Sequence, residues 1–319
     1  MKKIVRTVAL LLLPVLLYYS VFLALEPNNY FNLREVTPSG VPIGALRSFE
    51  NNPQTSLIVG DSRVAHFDME LVEEVAGRPF GNIAYGGASL REELDLLEWW
   101  MEKYPQIDEV VFGLSFYTLN AAYEMDRVEG LQQALYNPFV YLTNLSFHLD
   151  AMQTLRDYLD GKTLYGGEGE TEDPADYVFV EYATPEGETV LLRDRLVNYM
   201  EEGLSSRTSR WSPNEIQFER LLKTIEDAAA RGVRFVVVLP PMHPCVLEYI
   251  VKPNGIYPPM LEMLELLHKS PALVLDYEIT GRPDFTDDQF FDGLHLDAER
   301  GMEVWTRMLF TDINTASAG

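Results

Sequence analysis

Ser56-Leu57-Ile58-Val59-Gly60-Asp61-Ser62-Arg63 is an apolar run that ends abruptly in Gly-Asp-Ser, and Asp292-Gly293-Leu294-His295 stands far downstream. A strand that stops on Gly-Asp-Ser delivers a hydroxyl to the carboxyl edge of an α/β sheet, where such folds keep their ligands. Asp292 and His295 are three residues apart, close enough in one turn for the carboxylate to orient the imidazole. A serine, a base and an acid that holds the base are the parts of nucleophilic acyl transfer.

Positioning these groups requires a particular order of elements. Short apolar runs bounded by turn signals predict strands at Leu57–Val59, Phe80–Ala84, Glu109–Leu114, Val233–Leu239 and Ala272–Leu275. Helical spacing marks Asp68–Val75, with Asp68 as N-cap, and Ser89–Lys103, Pro259–Leu267 and Glu299–Phe310. Strands alternating with helices predict a three-layer α/β/α domain around a mostly parallel five-stranded sheet, over residues 51–312 with a tail at 313–319. More than one crossover's worth of chain separates the third strand from the fourth. We read residues 117–211 as an insertion over the carboxyl edge of the sheet, with the acidic stretch Gly166 to Pro174 as a solvated loop.

The turns after these strands hold further candidates. Gly86 and Gly87 follow the second strand, where a backbone N–H can approach a substrate closely. His243, in the Pro-rich loop after the fourth strand, opens on the ligand edge as a pocket wall. Arg63, beside the serine, either binds an anionic group of the substrate or pairs with an acid. His66, His148 and His268 lie in helical patterns and read as packed or surface residues.

Composition narrows the field. With 25 basic and 49 acidic residues the net charge is −24, which would repel nucleic acid. A single cysteine, Cys245, excludes an intrachain disulfide, and the chain lacks CxxC, HExxH, Walker-type and GxGxxG motifs, so no metal or cofactor is expected. Lys2, Lys3 and Arg6 form a basic flank (residues 1–7) before an uncharged, mostly apolar run at 8–25, and a turn-rich spacer fills 26–50. The run reaches the lower limit for a bilayer span and has no clean cleavage site. The expectation is an uncleaved signal anchor: single-pass in the cytoplasmic membrane, with the remaining chain extracytoplasmic.

Ser after strand one, Gly after strand two, a Gly-containing turn after strand three (Phe112-Gly113-Leu114-Ser115) and Asp-x-x-His near the C-terminus together resemble the SGNH/GDSL hydrolase superfamily. The resemblance implies a flavodoxin-like sheet, Ser62 as nucleophile, His295 as base and Asp292 as its orienter. It implies an oxyanion held by the N–H groups of Ser62 and of Gly86 or Gly87. It also places Ser115 where that superfamily has an asparagine donor. With the anchor, the insertion and Pro240-Pro241-Met242-His243-Pro244, the chain is similar to the membrane-anchored proteins of D-alanyl-lipoteichoic acid biosynthesis and alginate O-acetylation. These work beside a multi-span membrane-bound O-acyltransferase on envelope polymers. Three functions follow as expectations: acyl transfer to or removal from an envelope glycan, a periplasmic esterase or lysolipase, and a non-catalytic accessory to the acyltransferase.

Overall fold

The computed structural model describes residues 2–25, 28, 30–31, 42–159, 171–208 and 210–317. They form two compact units. The smaller joins the N-terminal segment to Arg47 with residues 129–167, and the larger joins 48–128 with 168–319. Among the described residues the strands are β1 (Ser56–Val59), β2 (Phe80–Asn82), β3 (Glu109–Gly113), β4 (Phe179–Ala183), β5 (Thr189–Arg193), β6 (Arg234–Leu239) and β7 (Leu273–Asp276).

Five of these build one all-parallel sheet in the order β2-β1-β3-β6-β7. A parallel sheet must be covered on both faces, and β1 and β3 are buried along their whole length. The period-2 alternation of strand side chains sorts them between the faces. Ile58, Val111, Val236 and Val238 pack with Val72, Trp305, Leu309 and Phe310 from the helices Met69–Ala76 and Met302–Ser317. Leu57, Val110, Phe112, Phe235 and Val237 are equally buried on the opposite face, that of helices Leu90–Lys103 and Glu215–Ala230. Each such side chain contributes roughly 1.5–3 kcal/mol of burial. From β1 the chain goes to β2 on one side, and β3 lies on the other, so the topological switch point falls at the carboxyl ends of β1 and β3. The three-layer α/β/α fold is therefore the one the strand-helix alternation predicts.

The departures are local. Asp68 caps its helix and Ser89 forms a capping box with Glu92, as their residue types require. The closing helix runs on to Ser317, through most of the expected tail. Ile43–Asn51 is helical, with Ile43, Leu46 and Phe49 buried, so the expected spacer is partly packed structure. The insertion is divided. Residues 129–159 belong to the smaller unit, while β4 and β5 form an antiparallel hairpin in the larger one. Part of the acidic stretch, at 166–170, lies outside the described residues.

In the smaller unit the helix Lys2–Leu25 is long and apolar enough to cross a membrane or to serve as a signal sequence. Its C-terminal end packs on the helices Pro138–Thr143 and Leu145–Leu159. The Tyr18 hydroxyl meets His148 Nδ1 at 3.1 Å, the Tyr19 hydroxyl donates to the Leu142 carbonyl at 3.1 Å, and Phe22 lies 4.3 Å from the His148 ring. Tyr141 stacks between Tyr30 and Phe147.

Candidate active site

Gly60 ends β1 at φ +152°, and a Cβ there would come within 2.7 Å of Val64 and 2.9 Å of the Gly113 carbonyl, so only glycine lets β1 turn at this point. The turn leads into the short helix Ser62–Ala65, which Asp61 caps by accepting from the Arg63 N–H at 2.9 Å. Asn82 pins the end of that helix through the Val64 carbonyl at 2.9 Å. Ser62 is thereby held rigidly at the carboxyl edge of the sheet.

Asp292 and His295 reach it from the loop after β7. The Ser62 hydroxyl lies 2.8 Å from His295 Nε2, and His295 Nδ1 lies 2.8 Å from Asp292 Oδ2. The other carboxylate oxygen of Asp292 accepts the backbone N–H groups of Leu294 and His295, each at 2.8 Å. Nδ1 therefore carries the proton and Nε2 presents its lone pair to Ser62. Burial opposes charge on both groups, but their mutual attraction outweighs it. Asp292 is held below the usual carboxylate range by His295 and the two amides, and His295 is raised above the ordinary imidazole value by Asp292.

The loop carrying this pair is tied down from three directions. His243 donates its backbone N–H to the Gly293 carbonyl at 3.0 Å, and its Nε2 lies 2.9 Å from Asp287. Arg193, at the end of β5, is buried and pairs with Asp287 at 2.7 Å, with further bonds to the Asp287 and Phe290 carbonyls. Arg300 bonds the Asp288 carbonyl at 3.0 Å. The hairpin of the insertion thus serves to fix the histidine loop.

Several side chains stand elsewhere than the sequence suggests. His243 is buried, with Nδ1 2.8 Å from the Cys245 sulfur, so it braces the loop from behind instead of walling the pocket. Ser115 is wholly buried and donates to Asp61 at 2.6 Å, so its one proton is unavailable to an oxyanion. Arg63 is buried too. Of its two expected roles it takes the pairing with an acid: it pairs with Glu278, donates to Ser115 at 3.1 Å and binds the carbonyls of Pro240 and Pro241, the second at 2.6 Å, which commits both terminal nitrogens inside the protein. Burial pushes the Glu278 carboxyl up to about 7, against the pull of Arg63.

Gly86 and Gly87 sit in the loop after β2, which the Tyr85 N–H ties to the Gly60 carbonyl at 3.1 Å, close to the Ser62 turn. Gly87 has φ +65°, and its carbonyl accepts from Tyr123 at 3.1 Å and Arg127 at 2.8 Å. The amides of Ser62, Gly86 and Gly87 have no protein acceptor among the described residues.

Sequence reasoning missed the polar cluster under Ser62. Asp61 accepts from Ser115 and, at 2.5 Å, from the Tyr117 hydroxyl, whose proton is retained because burial raises its phenol far above the ordinary value. The signal available was the company Asp61 keeps: a carboxylate embedded between an apolar strand and a serine needs donors, and Ser115 and Tyr117 follow the adjacent strand within four residues of its end. Glu93, on the same helix face as Leu90, Leu94 and Leu97, is buried, and burial followed by Asp61 raises its carboxyl well above the usual range.

A cleft of about 710 Å³ opens beside His295 and Asp292. Tyr199, Phe291, Arg195, Glu172 and Glu202 line it, with the Tyr199 ring edge-on to His295 at 5.8 Å. Arg195 lies over the Phe291 ring and pairs with Glu172 at 3.0 Å. No group of metal-ligating side chains occurs among the described residues.

Neither a family model nor a curated protein matches the chain. Among solved structures, a Bacteroides fragilis protein described as a "putative acylhydrolase" aligns with 88% of this chain and 91% of its own at 10% identity, with a TM-score of 0.35. An acetyl xylan esterase from the rumen bacterium Butyrivibrio proteoclasticus aligns with 81% of this chain and 64% of its own at 8% identity, with a TM-score of 0.30. Likenesses this distant leave the chemistry to be read from the geometry.

Proposed function

We propose that this is a serine-dependent acyl-ester enzyme of the SGNH type, and the observation that carries the proposal is the continuous relay Ser62–His295–Asp292 with 2.8 Å at each link. In this reading His295 Nε2 takes the Ser62 proton as Oγ attacks the ester carbonyl. The amides of Ser62 and of Gly86 or Gly87 receive the developing oxyanion. The carbonyl–oxygen bond to the leaving group breaks, and His295 returns the proton to it. An acceptor hydroxyl then gives its proton to His295, attacks the acyl-serine carbon and leaves as the new ester, while Ser62 regains its proton.

The acceptor we propose is a sugar hydroxyl of an envelope glycan. A cleft this size holds a far larger acceptor than water. It also presents Glu172, Asp194 and Glu202 against Arg195 alone, which favours neutral, hydroxyl-rich chains over polyanions. The acyl groups would come from a multi-span membrane-bound O-acyltransferase, with the protein anchored beside it by Lys2–Leu25 and its larger unit outside the cytoplasm. Phe22, buried in the smaller unit, supports an anchor that stays attached.

A fluorophosphonate probe tests the chemistry. It should label the wild type and not Ser62→Ala, with turnover in that variant falling by roughly 10⁴–10⁶-fold and its fold intact. Adding a neutral oligosaccharide to a small activated ester should then raise turnover and place ester on the glycan. Equal labelling of wild type and variant sinks the assignment, and fast hydrolysis indifferent to glycan leaves a plain esterase.

A further inference from the structure

Among the described residues, the smaller unit presents an apolar face that nothing in it covers. On the helix Leu145–Leu159, Leu145, Leu149 and Met152 follow one another at spacings of four and three residues, the spacing of a single helix face, and are 71%, 55% and 66% exposed. Phe139, on the preceding helix, is 78% exposed. His148 adjoins the stripe, and it is the residue against which Tyr18, Tyr19 and Phe22 of the N-terminal helix pack.

Depth decides what covers this face, given the anchor reading above, on which the inference rests. At 1.5 Å per residue Tyr18 stands about 18 Å beyond Arg6, the last basic residue before the apolar run, and Phe22 about 24 Å. The hydrocarbon core of a bilayer is about 30 Å thick. With Arg6 at the cytoplasmic boundary, Tyr18 and Phe22 lie within the outer leaflet, and whatever packs against them lies there too. His148 does, and the Leu142 carbonyl accepts from Tyr19. Both are polar, yet each has a partner inside the unit, as burial in lipid demands. The exposed leucines of the N-terminal helix, Leu10–Leu13, Leu16 and Leu17, continue the apolar surface toward the cytoplasm.

We infer that the face formed by Phe139, Leu145, Leu149 and Met152 is immersed in the outer leaflet of the bilayer, so that the protein enters the membrane as a small helical wedge and not as one helix. The partner is lipid acyl chain, in contact with side chains more than a hundred residues from the span in sequence.

An environment-sensitive fluorophore on single introduced cysteines tests this in the full-length protein reconstituted into phosphatidylcholine/phosphatidylglycerol vesicles. Native Cys245 can remain, because it is buried and burial pushes its thiol up to about 12. Labels at Leu149→Cys and Met152→Cys should be blue-shifted and quenched by acyl-chain nitroxide lipids to the same degree as a label at Leu12→Cys, whereas one at the exposed Ile216→Cys should be neither. Water-like, unquenched emission at 149 and 152 beside a quenched label at 12 overturns the inference and leaves the anchor standing. Blue-shifted but unquenched emission at 149 and 152 also overturns it, since protein would then be the cover. An unquenched label at 12 removes the anchor reading itself, and the wedge with it.

Discussion

Ser115 donates its only proton to Asp61 at 2.6 Å while accepting from Arg63 at 3.1 Å, so both functions of its hydroxyl are used inside the protein. The residue that the resemblance places in an oxyanion-donor position is a post beneath the Ser62 turn. Asp61, which it supports, in turn caps the helix that begins with Ser62.

Ser115→Asn should therefore fail to raise hydrolysis of small esters, because the larger amide replaces a buried post and reaches no oxyanion. Ser115→Ala should cost about 1–3 kcal/mol of stability, the usual consequence of stripping a donor from a buried acceptor. Chemical denaturation of both variants, alongside their rates of fluorophosphonate labelling, measures this. A gain of hydrolytic rate in Ser115→Asn would return the residue to the hole.

Asp292→Asn separates the orienting acid from the base. Labelling needs His295 neutral, and Asp292 raises its pKa above the ordinary 6.5 against the penalty of burial. Wild-type labelling should thus decline as pH falls through a value above 6.5. With asparagine in place, burial, the largest influence, remains to lower the pKa with help from Arg63 and only Asp61 opposing it, so the declining limb should move to lower pH. The plateau should drop about 10⁴-fold as the tautomer is lost. A limb that stays in place on a lowered plateau would assign Asp292 to the fold alone.

Arg63→Met should destabilise the larger unit by about 3–5 kcal/mol, since it leaves Glu278 buried without its cation. Adding Glu278→Leu should recover much of that loss. Equilibrium unfolding of the single and double variants reads the coupling directly, and additive losses would mean that the pair is not a unit.

Cleft charge predicts acceptor choice. Glu202→Lys should improve kcat/KM for an anionic acceptor by roughly fivefold, corresponding to about 1 kcal/mol of interaction near water, and added salt should erase the gain. The KM for a neutral glycan should stay within twofold, roughly 0.4 kcal/mol.

What could be read from the chain followed from local chemistry. The strands of the parallel sheet show as uninterrupted runs such as Phe235 to Leu239 because both of their faces are buried, and the contact of Asp292 with His295 follows from their spacing of three residues. Long-range pairings could not be read. Nothing near Arg63 in sequence announces Glu278, and nothing near His243 announces Asp287: Arg63 follows β1, His243 follows β6 and both acids follow β7, so the partners meet only when the sheet is assembled. The hairpin β4–β5 was visible in principle: Val180, Tyr182, Val190 and Leu192 alternate about Pro185-Glu186-Gly187, yet its strands are largely solvent-exposed and lack the dense apolar signature of the core strands.

The smaller unit is assembled from two stretches separated by the first half of the sheet domain, and Phe22 is buried only once residues 138–148 have arrived. During synthesis the first helix must therefore wait, its aromatic end uncovered, while more than a hundred further residues are made. Removal of that helix by a peptidase in the interval would take away one side of a structure still to be completed. On the anchor reading proposed above, retention of the first helix and maturation of the fold become a single event.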